Sequence, residues 1–297
     1  MASSENNTLH GLIVETFRRH YTVALDNSDR LDCVLKGRDT TLVCGDEVEL
    51  ARTGDGSSGV ITALKPRQNL FYRSDAIRQK RIAANVTQIL GVVAPDIALD
   101  EMLLNRWIVA AEAAHCRFVL IANKRDLPGF SSLRERLKPY EALGYPVIET
   151  CAKSDVAALW PHLEQQKSVL IGQSGMGKST LINALFPNAR SETAAVSKAL
   201  GSGKHTTTFA ALHLLAKPHA GWIIDIPGMK VFGLAHLTPD ELTAAFKEIA
   251  PLVGHCRFRD CRHDKEPGCA VQKALHEGRL HPKRLELLQT LIRESAY

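Results

Sequence analysis

Long hydrophobic runs are absent from this 297-residue sequence. No apolar stretch approaches the roughly 18 residues that a membrane-spanning helix needs. Residues 1–8 are polar and lack the apolar segment of a signal peptide. These absences argue against a membrane protein and a secreted protein, so we expect a cytoplasmic protein with no membrane partner.

Aromatic residues and cysteines are also few. Aromatic residues make up 6% of the chain, and the seven cysteines are an odd number in a sequence without a signal peptide. A disulfide framework is therefore disfavoured, and metal binding is the alternative for any cysteine cluster. The net charge of +5 is modest, so the distribution of charge along the chain is more informative than its sum.

The chain is organised around residues 168–183. Residues 169–171 predict a buried strand and residues 181–185 the start of a helix. The segment between them fits the P-loop pattern G-x-x-x-x-G-K-[ST], in which backbone N–H groups surround a polyphosphate. A chance glycine-rich turn is the alternative. The predicted GTP-binding residues here are Gly172, Gln173, Ser174, Gly175, Met176, Gly177, Lys178, Ser179 and Thr180.

Two further motifs predict that the base is guanine. Asn123, Lys124 and Asp126 form an N-K-x-D motif after an apolar strand, and its carboxylate accepts hydrogen bonds that guanine donates and adenine does not. Residues 150–153 resemble the S-A-K loop, with Cys151 and Ala152 supporting the guanine oxygen. These motifs favour GTP over ATP and make a metabolic kinase the more distant alternative.

The segments after the P-loop predict a magnesium-dependent switch. Lys178 neutralises phosphate charge as a catalytic residue, and the Ser179 hydroxyl binds Mg²⁺. Residues 201–208 read as a switch loop whose Thr207 completes the Mg²⁺ shell. In the D-x-P-G motif, Asp225 holds Mg²⁺ through water and the N–H of Gly228 contacts the γ-phosphate.

The flanking regions predict a multidomain α/β protein. Five short strands with intervening turns indicate an OB-like β-barrel over residues 1–65. A basic linker over residues 66–83 leads to alternating strands and helices over residues 84–236, which predict a parallel sheet with helices on both faces. Residues 237–297 read as a helical domain, beginning with a capping box at residues 238–241.

Two of these regions carry alternatives. The barrel fold often binds RNA, but a purely structural β-module explains the same pattern. Residues 65–81 contain six cations and one carboxylate, interleaved with Phe71 and Tyr72. This composition suits a phosphate backbone with some base stacking, and a solvated linker is the alternative.

A cluster of metal-ligating residues lies near the carboxyl end. Three cysteines and one histidine fall within fourteen positions, a set suited to tetrahedral, structural Zn²⁺. Incidental cysteines are the alternative. The predicted ligands are Cys256, Cys261, His263 and Cys269.

The order of the motifs is itself informative, because the guanine motifs precede the P-loop. With its barrel, G-Q-S-G-x-G-K-S, G-K-H-T-T-T, D-I-P-G and Cys/His cluster, the chain resembles the circularly permuted GTPases of the ribosome small-subunit-dependent GTPase A (RsgA) family. The resemblance implies a 30S-stimulated GTPase acting late in small-subunit assembly, with 16S rRNA as a partner and no DNA. It also implies Mg²⁺ with GTP and one structural Zn²⁺. It favours His263 as the zinc ligand over His255, which is adjacent to Cys256. The alternative is a non-catalytic RNA-binding checkpoint module that uses GTP as a conformational latch.

One catalytic group common in GTPases is missing, because Met229 follows the D-x-P-G motif where many of them place a glutamine. We predict that His205 orients the attacking water, since a neutral imidazole accepts a proton near pH 7. The alternative is a solvated His205, with the ribosome supplying the group.

We expect His205→Ala to keep GTP binding and 30S docking but to lose most subunit-stimulated turnover. Thr207→Ala serves as the comparison, because it disturbs the Mg²⁺-dependent state itself. The measurement is phosphate release on saturating 30S subunits. Wild-type turnover by His205→Ala would assign the water-orienting group to the ribosome.

Overall fold

The computed structural model describes residues 8–17, 19–26, 29–37, 42–74, 79–187, 210–216, 220–226, 232, 234 and 236–295. The predicted site residues His205, Thr207 and Gly228 lie outside the described residues. Within the part of the chain that the structure describes, no helix combines the length and the apolar character needed to cross a bilayer.

The amino-terminal residues form a closed five-stranded barrel. Its strands pair in the order β1-β2-β3-β5-β4, and β1 pairs again with β4 to close it. Only β3 and β5 are parallel. Alternate side chains point inward, among them Ile13, Val48 and Ile61, which have no exposed surface. The OB-like barrel is confirmed, with strands β1 (Leu9–Phe17), β2 (His20–Leu25), β3 (Arg30–Leu35), β4 (Glu47–Arg52) and β5 (Ser58–Leu64).

The segment predicted to be a linker contains a β-hairpin. Strands β6 (Leu70–Ser74) and β7 (Gln79–Ala84) pair antiparallel in a sheet of their own. Phe71 is buried, with its ring centroid 5.3 Å from that of Phe232. Phe71 is therefore not available for the base stacking that the composition of residues 65–81 suited, because its ring faces the protein interior.

The central domain is built on a six-stranded sheet in the order β10-β9-β8-β11-β13-β12. Five strands run parallel, and β12 runs antiparallel at the edge, which the sequence did not predict. The strands are β8 (Gln88–Val93), β9 (Arg117–Ala122), β10 (Val147–Glu149), β11 (Gln166–Ile171), β12 (Ala211–Leu214) and β13 (Gly221–Asp225).

Helices cover both faces of this sheet, as predicted. On β9, Phe118 and Leu120 share a core with the first two helices, whereas Val119 and Ile121 share a second core with the next two. This alternation explains why β9 is a continuous apolar run. The helices are α1 (Glu101–Ala113), α2 (Phe130–Ala142), α3 (Trp160–Leu163) and α4 (Lys178–Leu185).

The carboxyl-terminal region is helical. Thr238 caps its first helix, and the Thr238 N–H donates to the Glu241 carboxylate at 2.7 Å, which confirms the capping box. The helices are α5 (Pro239–Ala244), α6 (Ala270–His276) and α7 (Pro282–Ser295), and short 3₁₀ turns occupy Ala157–Leu159 and Ala250–Leu252.

A buried arginine joins this region to the central domain. Arg284 on α7 donates to the Glu248 carboxylate and to the side-chain oxygen of Asn105 on α1. Its guanidinium also lies 4.4 Å from the ring centroid of Phe246. Asn105 is fully buried and in turn donates to the Tyr140 hydroxyl at 3.1 Å. Every buried charge here has a partner, as burial requires.

The barrel joins the central sheet at the edge formed by β12. Glu15 of β1 pairs with Ala211 of β12, so the two sheets are continuous. The Cys44 thiol donates to the Ala210 carbonyl at 3.3 Å. Nearby, Arg67 pairs with the fully buried Asp46, at 2.6 Å between Nε and Oδ1. One of the six cations of residues 65–81 is therefore held in an ion pair with a buried carboxylate.

Candidate functional site

The predicted P-loop lies between β11 and α4, at the carboxyl end of a central strand. Its backbone has positive φ at Gly172, Gly175 and Gly177 (155°, 87° and 95°). A Cβ at Gly177 would lie 2.3 Å from the Asn123 side-chain nitrogen, so only glycine fits there. The result is a loop whose N–H groups precede a helix N-terminus, an arrangement suited to anions.

The side chain of Asn123 joins the base-binding loops to this phosphate-binding loop. Asn123 is buried, and its amide nitrogen donates to the Met176 carbonyl at 2.9 Å. Its side-chain oxygen accepts from the Ala152 N–H at 3.0 Å and from the Thr150 hydroxyl at 3.2 Å. The P-loop, the N-K-x-D motif and the S-A-K-like loop therefore meet beyond the carboxyl ends of the parallel strands.

Lys124 makes a second connection. Its ammonium donates to the Gly175 carbonyl at 2.7 Å and pairs with Asp96. Its φ of 62° lies in the left-handed region, which turns the chain sharply after β9. Asp96 belongs to none of the motifs recognised in the sequence. Its position three residues after strand β8 was the available signal, since sites in such sheets lie beyond the carboxyl ends of strands.

The predicted guanine-recognising carboxylate has a thiol partner. Cys151 is buried, and its Sγ donates to Asp126 Oδ1 at 3.1 Å. This hydrogen bond is the main cause that lowers the pKa of the Asp126 carboxyl. The thiol therefore favours the ionised, accepting form of Asp126 and restricts its orientation.

The phosphate end of the site pairs a lysine with a carboxylate. The Lys178 ammonium donates to the carbonyls of Gly172 and Gln173, at 2.6 and 3.0 Å. Burial lowers the pKa of Lys178, and the charge of Asp225 opposes that shift. Burial likewise raises the pKa of Asp225 and Lys178 opposes it, so each charge stabilises the other.

The predicted Mg²⁺ ligands are placed in part. Ser179 is exposed on the first turn of α4, beside the predicted GTP-binding residue Thr180, and Asp225 ends strand β13, whereas Thr207 lies outside the described residues. A hydroxyl and a carboxylate are the hard oxygen ligands that Mg²⁺ prefers, so these residues fit the ion.

The predicted zinc ligands converge. The ligand atoms of Cys256, Cys261, His263 and Cys269 all lie within 4.8 Å of one another. His263 Nδ1 is 3.6 Å from the Cys256 sulfur and 3.4 Å from the Cys269 sulfur, and these two sulfurs are 3.9 Å apart. Tetrahedral Zn²⁺ requires about 3.5 Å between nitrogen and sulfur and about 3.8 Å between sulfurs. The cluster is compatible with zinc in donor chemistry and in spacing.

Two glutamines that the sequence analysis did not identify hold the histidine backbone. Gln272 and Gln289 each donate an amide N–H to the His263 carbonyl, at 2.8 and 2.7 Å. His263 has a φ of 61°, so these bonds fix it in the left-handed region. No sequence signal marked either glutamine, because each lies on a helix outside the cluster.

A P-loop preceded in the chain by its guanine-binding loops, on a parallel sheet covered by helices, defines a circularly permuted P-loop GTPase. The RsgA GTPase family matches residues 64–235, more than half of the sequence. This chain belongs to the RsgA GTPase family.

Relatives and solved structures agree with this assignment. The chain is 44% identical over 285 residues to the small ribosomal subunit biogenesis GTPase RsgA of Nitrosospira multiformis, covering 96% of this chain and 90% of the relative. It is 43% identical to the protein of that name from Burkholderia pseudomallei, with 96% and 92% covered.

Among solved structures, YjeQ from Thermotoga maritima matches with a TM-score of 0.75 and 28% identity, covering 97% of this chain and 99% of that one. YloQ, described as a circularly permuted GTPase, matches with a TM-score of 0.73 and 25% identity, covering 99% and 98%. Both matches include the barrel and the helical domain as well as the GTPase core, since nearly all of each chain is covered.

We predict that Cys151→Ala weakens GDP binding several-fold, because the carboxylate that accepts from guanine loses the thiol that donates to it. The loss should grow as the pH falls, because without the thiol the pKa of Asp126 rises and the carboxylate is protonated earlier. Titration with a fluorescent GDP analogue at several pH values measures both effects. Cys151→Ser is the matched control, and its hydroxyl should preserve binding. Equal affinity for all three proteins would show that the thiol does not position Asp126.

Proposed function

We propose that this GTPase binds the small ribosomal subunit, contacts its 16S rRNA and hydrolyses GTP late in subunit maturation. The observation that carries the proposal is the joining of the guanine loops to the P-loop through Asn123. The names of relatives at 43–44% identity over nearly the whole chain support the small subunit as the partner.

In the proposed reaction, water attacks the γ-phosphate in line with the leaving GDP. Lys178 exchanges its carbonyl partners for phosphate oxygens and stabilises their charge. Mg²⁺ would be held by Ser179, Thr207 and Asp225, and when bound it supplies further neutralisation of phosphate charge. His205 remains the predicted group that orients the water, and the Gly228 N–H the predicted contact to the γ-phosphate.

The hairpin supplies the proposed rRNA contact. Lys80 and Arg81 on β7 are exposed, whereas the next residue, Ile82, is buried. Neither cation forms an ion pair within the described residues. An edge of unpaired cations suits a phosphate backbone. The cytoplasmic location predicted from the sequence fits this role and stays a prediction.

We also propose that Cys256, Cys261, His263 and Cys269 hold one structural Zn²⁺. All four ligands come from the protein, which leaves no open coordination position for catalysis. The ion would link the loop before α6 to that helix, since Cys269 is the α6 N-cap. Its binding energy would then stabilise residues 253–269, which contain no helix or strand.

GTP hydrolysis with and without purified 30S subunits tests the proposed function. We expect phosphate release to rise on adding 30S subunits but not 50S subunits. Lys178→Ala, which removes the phosphate-binding ammonium, should bind the subunit yet show no stimulated turnover. Subunit binding without any rise in turnover would contradict the proposal and favour the non-catalytic latch.

A further inference from the structure

One aromatic side chain is exposed on the zinc-binding loop. Among the described residues, the large hydrophobic side chains with high exposure are Val34, Leu214, Val253 and Phe258. Phe258 is the one aromatic in that set, at 41% exposure, and it lies between the ligands Cys256 and Cys261. Its position needs an explanation, because a phenylalanine ring gains considerable free energy from burial.

The loop is anchored at the two residues that precede this ring. The Arg257 N–H donates to the Gly268 carbonyl at 3.0 Å, and the Cys256 sulfur accepts from the Ala270 N–H. The Arg257 stem also packs closely against Gly268, where an added Cβ would lie 2.9 Å from the Arg257 Cβ. These contacts fix the backbone beside Phe258, so the exposure of the ring is built into the loop.

One arginine lies beside the exposed ring, and three further cations follow within seven residues of it in the sequence. The Arg257 guanidinium lies 5.6 Å from the Phe258 ring centroid. Arg257, Arg259, Arg262 and Lys265 are all exposed, and none forms an ion pair within the residues that the structure describes. Many other cations do form such pairs, including the Arg106, Arg134 and Arg136 side chains.

The carboxylates of the loop leave these cations available. Asp260 and Asp264 are exposed, and Glu266 accepts from the backbone N–H groups of Arg262 and Asp264, each at 2.8 Å. With four cations and three carboxylates, the loop has only a small positive excess. An excess of one positive charge is too small to bind an anionic ligand by itself. The exposed ring must therefore supply part of the recognition.

We propose that the loop from Cys256 to Cys261 docks a single-stranded segment of RNA, with an unpaired base stacked on Phe258 and phosphates contacted by Arg257 and Arg259. A ring flanked by arginines matches a base flanked by phosphates, and each stacked base is worth roughly 1–3 kcal/mol. A duplex keeps its bases stacked inside, so an unpaired segment fits this surface better. The inference rests on the proposed function in taking rRNA as the source of that segment.

Three variants of the full-length protein separate stacking from general hydrophobic contact. Phe258→Leu keeps the apolar surface and removes the flat ring, and we expect 30S affinity to fall about 5- to 150-fold, as losing roughly 1–3 kcal/mol requires. Phe258→Tyr keeps the ring and should bind within 2-fold of wild type. Val253→Ala is the matched control, because Val253 is 43% exposed on the same domain and carries no ring.

Binding is measured by co-sedimentation with 30S subunits and a non-hydrolysable GTP analogue, after elemental analysis shows equal zinc in each variant. If Phe258→Leu binds as well as wild type, or if Val253→Ala loses as much, the surface is not a stacking platform. If wild type itself fails to bind 30S subunits, the proposed function fails. In that case, titration of the same variants with single-stranded and duplex oligoribonucleotides decides the inference separately.

A photo-crosslinking experiment identifies the occupant directly. With p-benzoylphenylalanine replacing Phe258, irradiation of the 30S complex should attach the protein to rRNA. Attachment to a ribosomal protein, or no attachment in a complex that sediments normally, would overturn the RNA assignment.

Discussion

The side-chain amide of Asn123 is the interaction on which the nucleotide site depends. It bonds at once to Met176, 53 residues later, and to Ala152, 29 residues later. An amide supplies both the donor for the P-loop carbonyl and the acceptor for the loop N–H, which no carboxylate or aliphatic side chain does. Gly177 is the counterpart of this contact, because a Cβ there would collide with the amide. The permuted chain order has no effect on this arrangement. Parallel strands place their carboxyl ends on the same side of the sheet, irrespective of the order in which the chain connects them.

The flanking regions attach to that same framework. Strand β1 extends the central sheet through its pairing with β12, and Arg284 holds α7 against α1. Helix α1 follows the loop that contains Asp96, which pairs with Lys124 at the guanine site. A continuous series of packed elements therefore runs from the barrel through the nucleotide site to the zinc-binding region.

The sequence was sufficient to predict a feature where particular residue types at a fixed spacing determine it. The P-loop, the N-K-x-D motif, the barrel strands and the Cys/His cluster were all found in this way. It was insufficient where a partner distant in the chain decides the outcome. Phe71 looked available among cations, but Phe232 covers it. The buried contacts of Arg284 with Glu248 and Asn105 likewise have no local sequence signal, because these partners are far away in sequence.

The most direct test of the central claim is the affinity of Asn123→Ala for GDP, measured by titration with a fluorescent analogue. The variant loses three hydrogen bonds worth roughly 0.5–1.5 kcal/mol each, so we predict a fall of at least about 10-fold. Circular dichroism should show an unchanged fold, because the β9 strand does not depend on this amide. Affinity within 2-fold of wild type would contradict the account, since the base-binding and phosphate-binding loops would then be held together by something else.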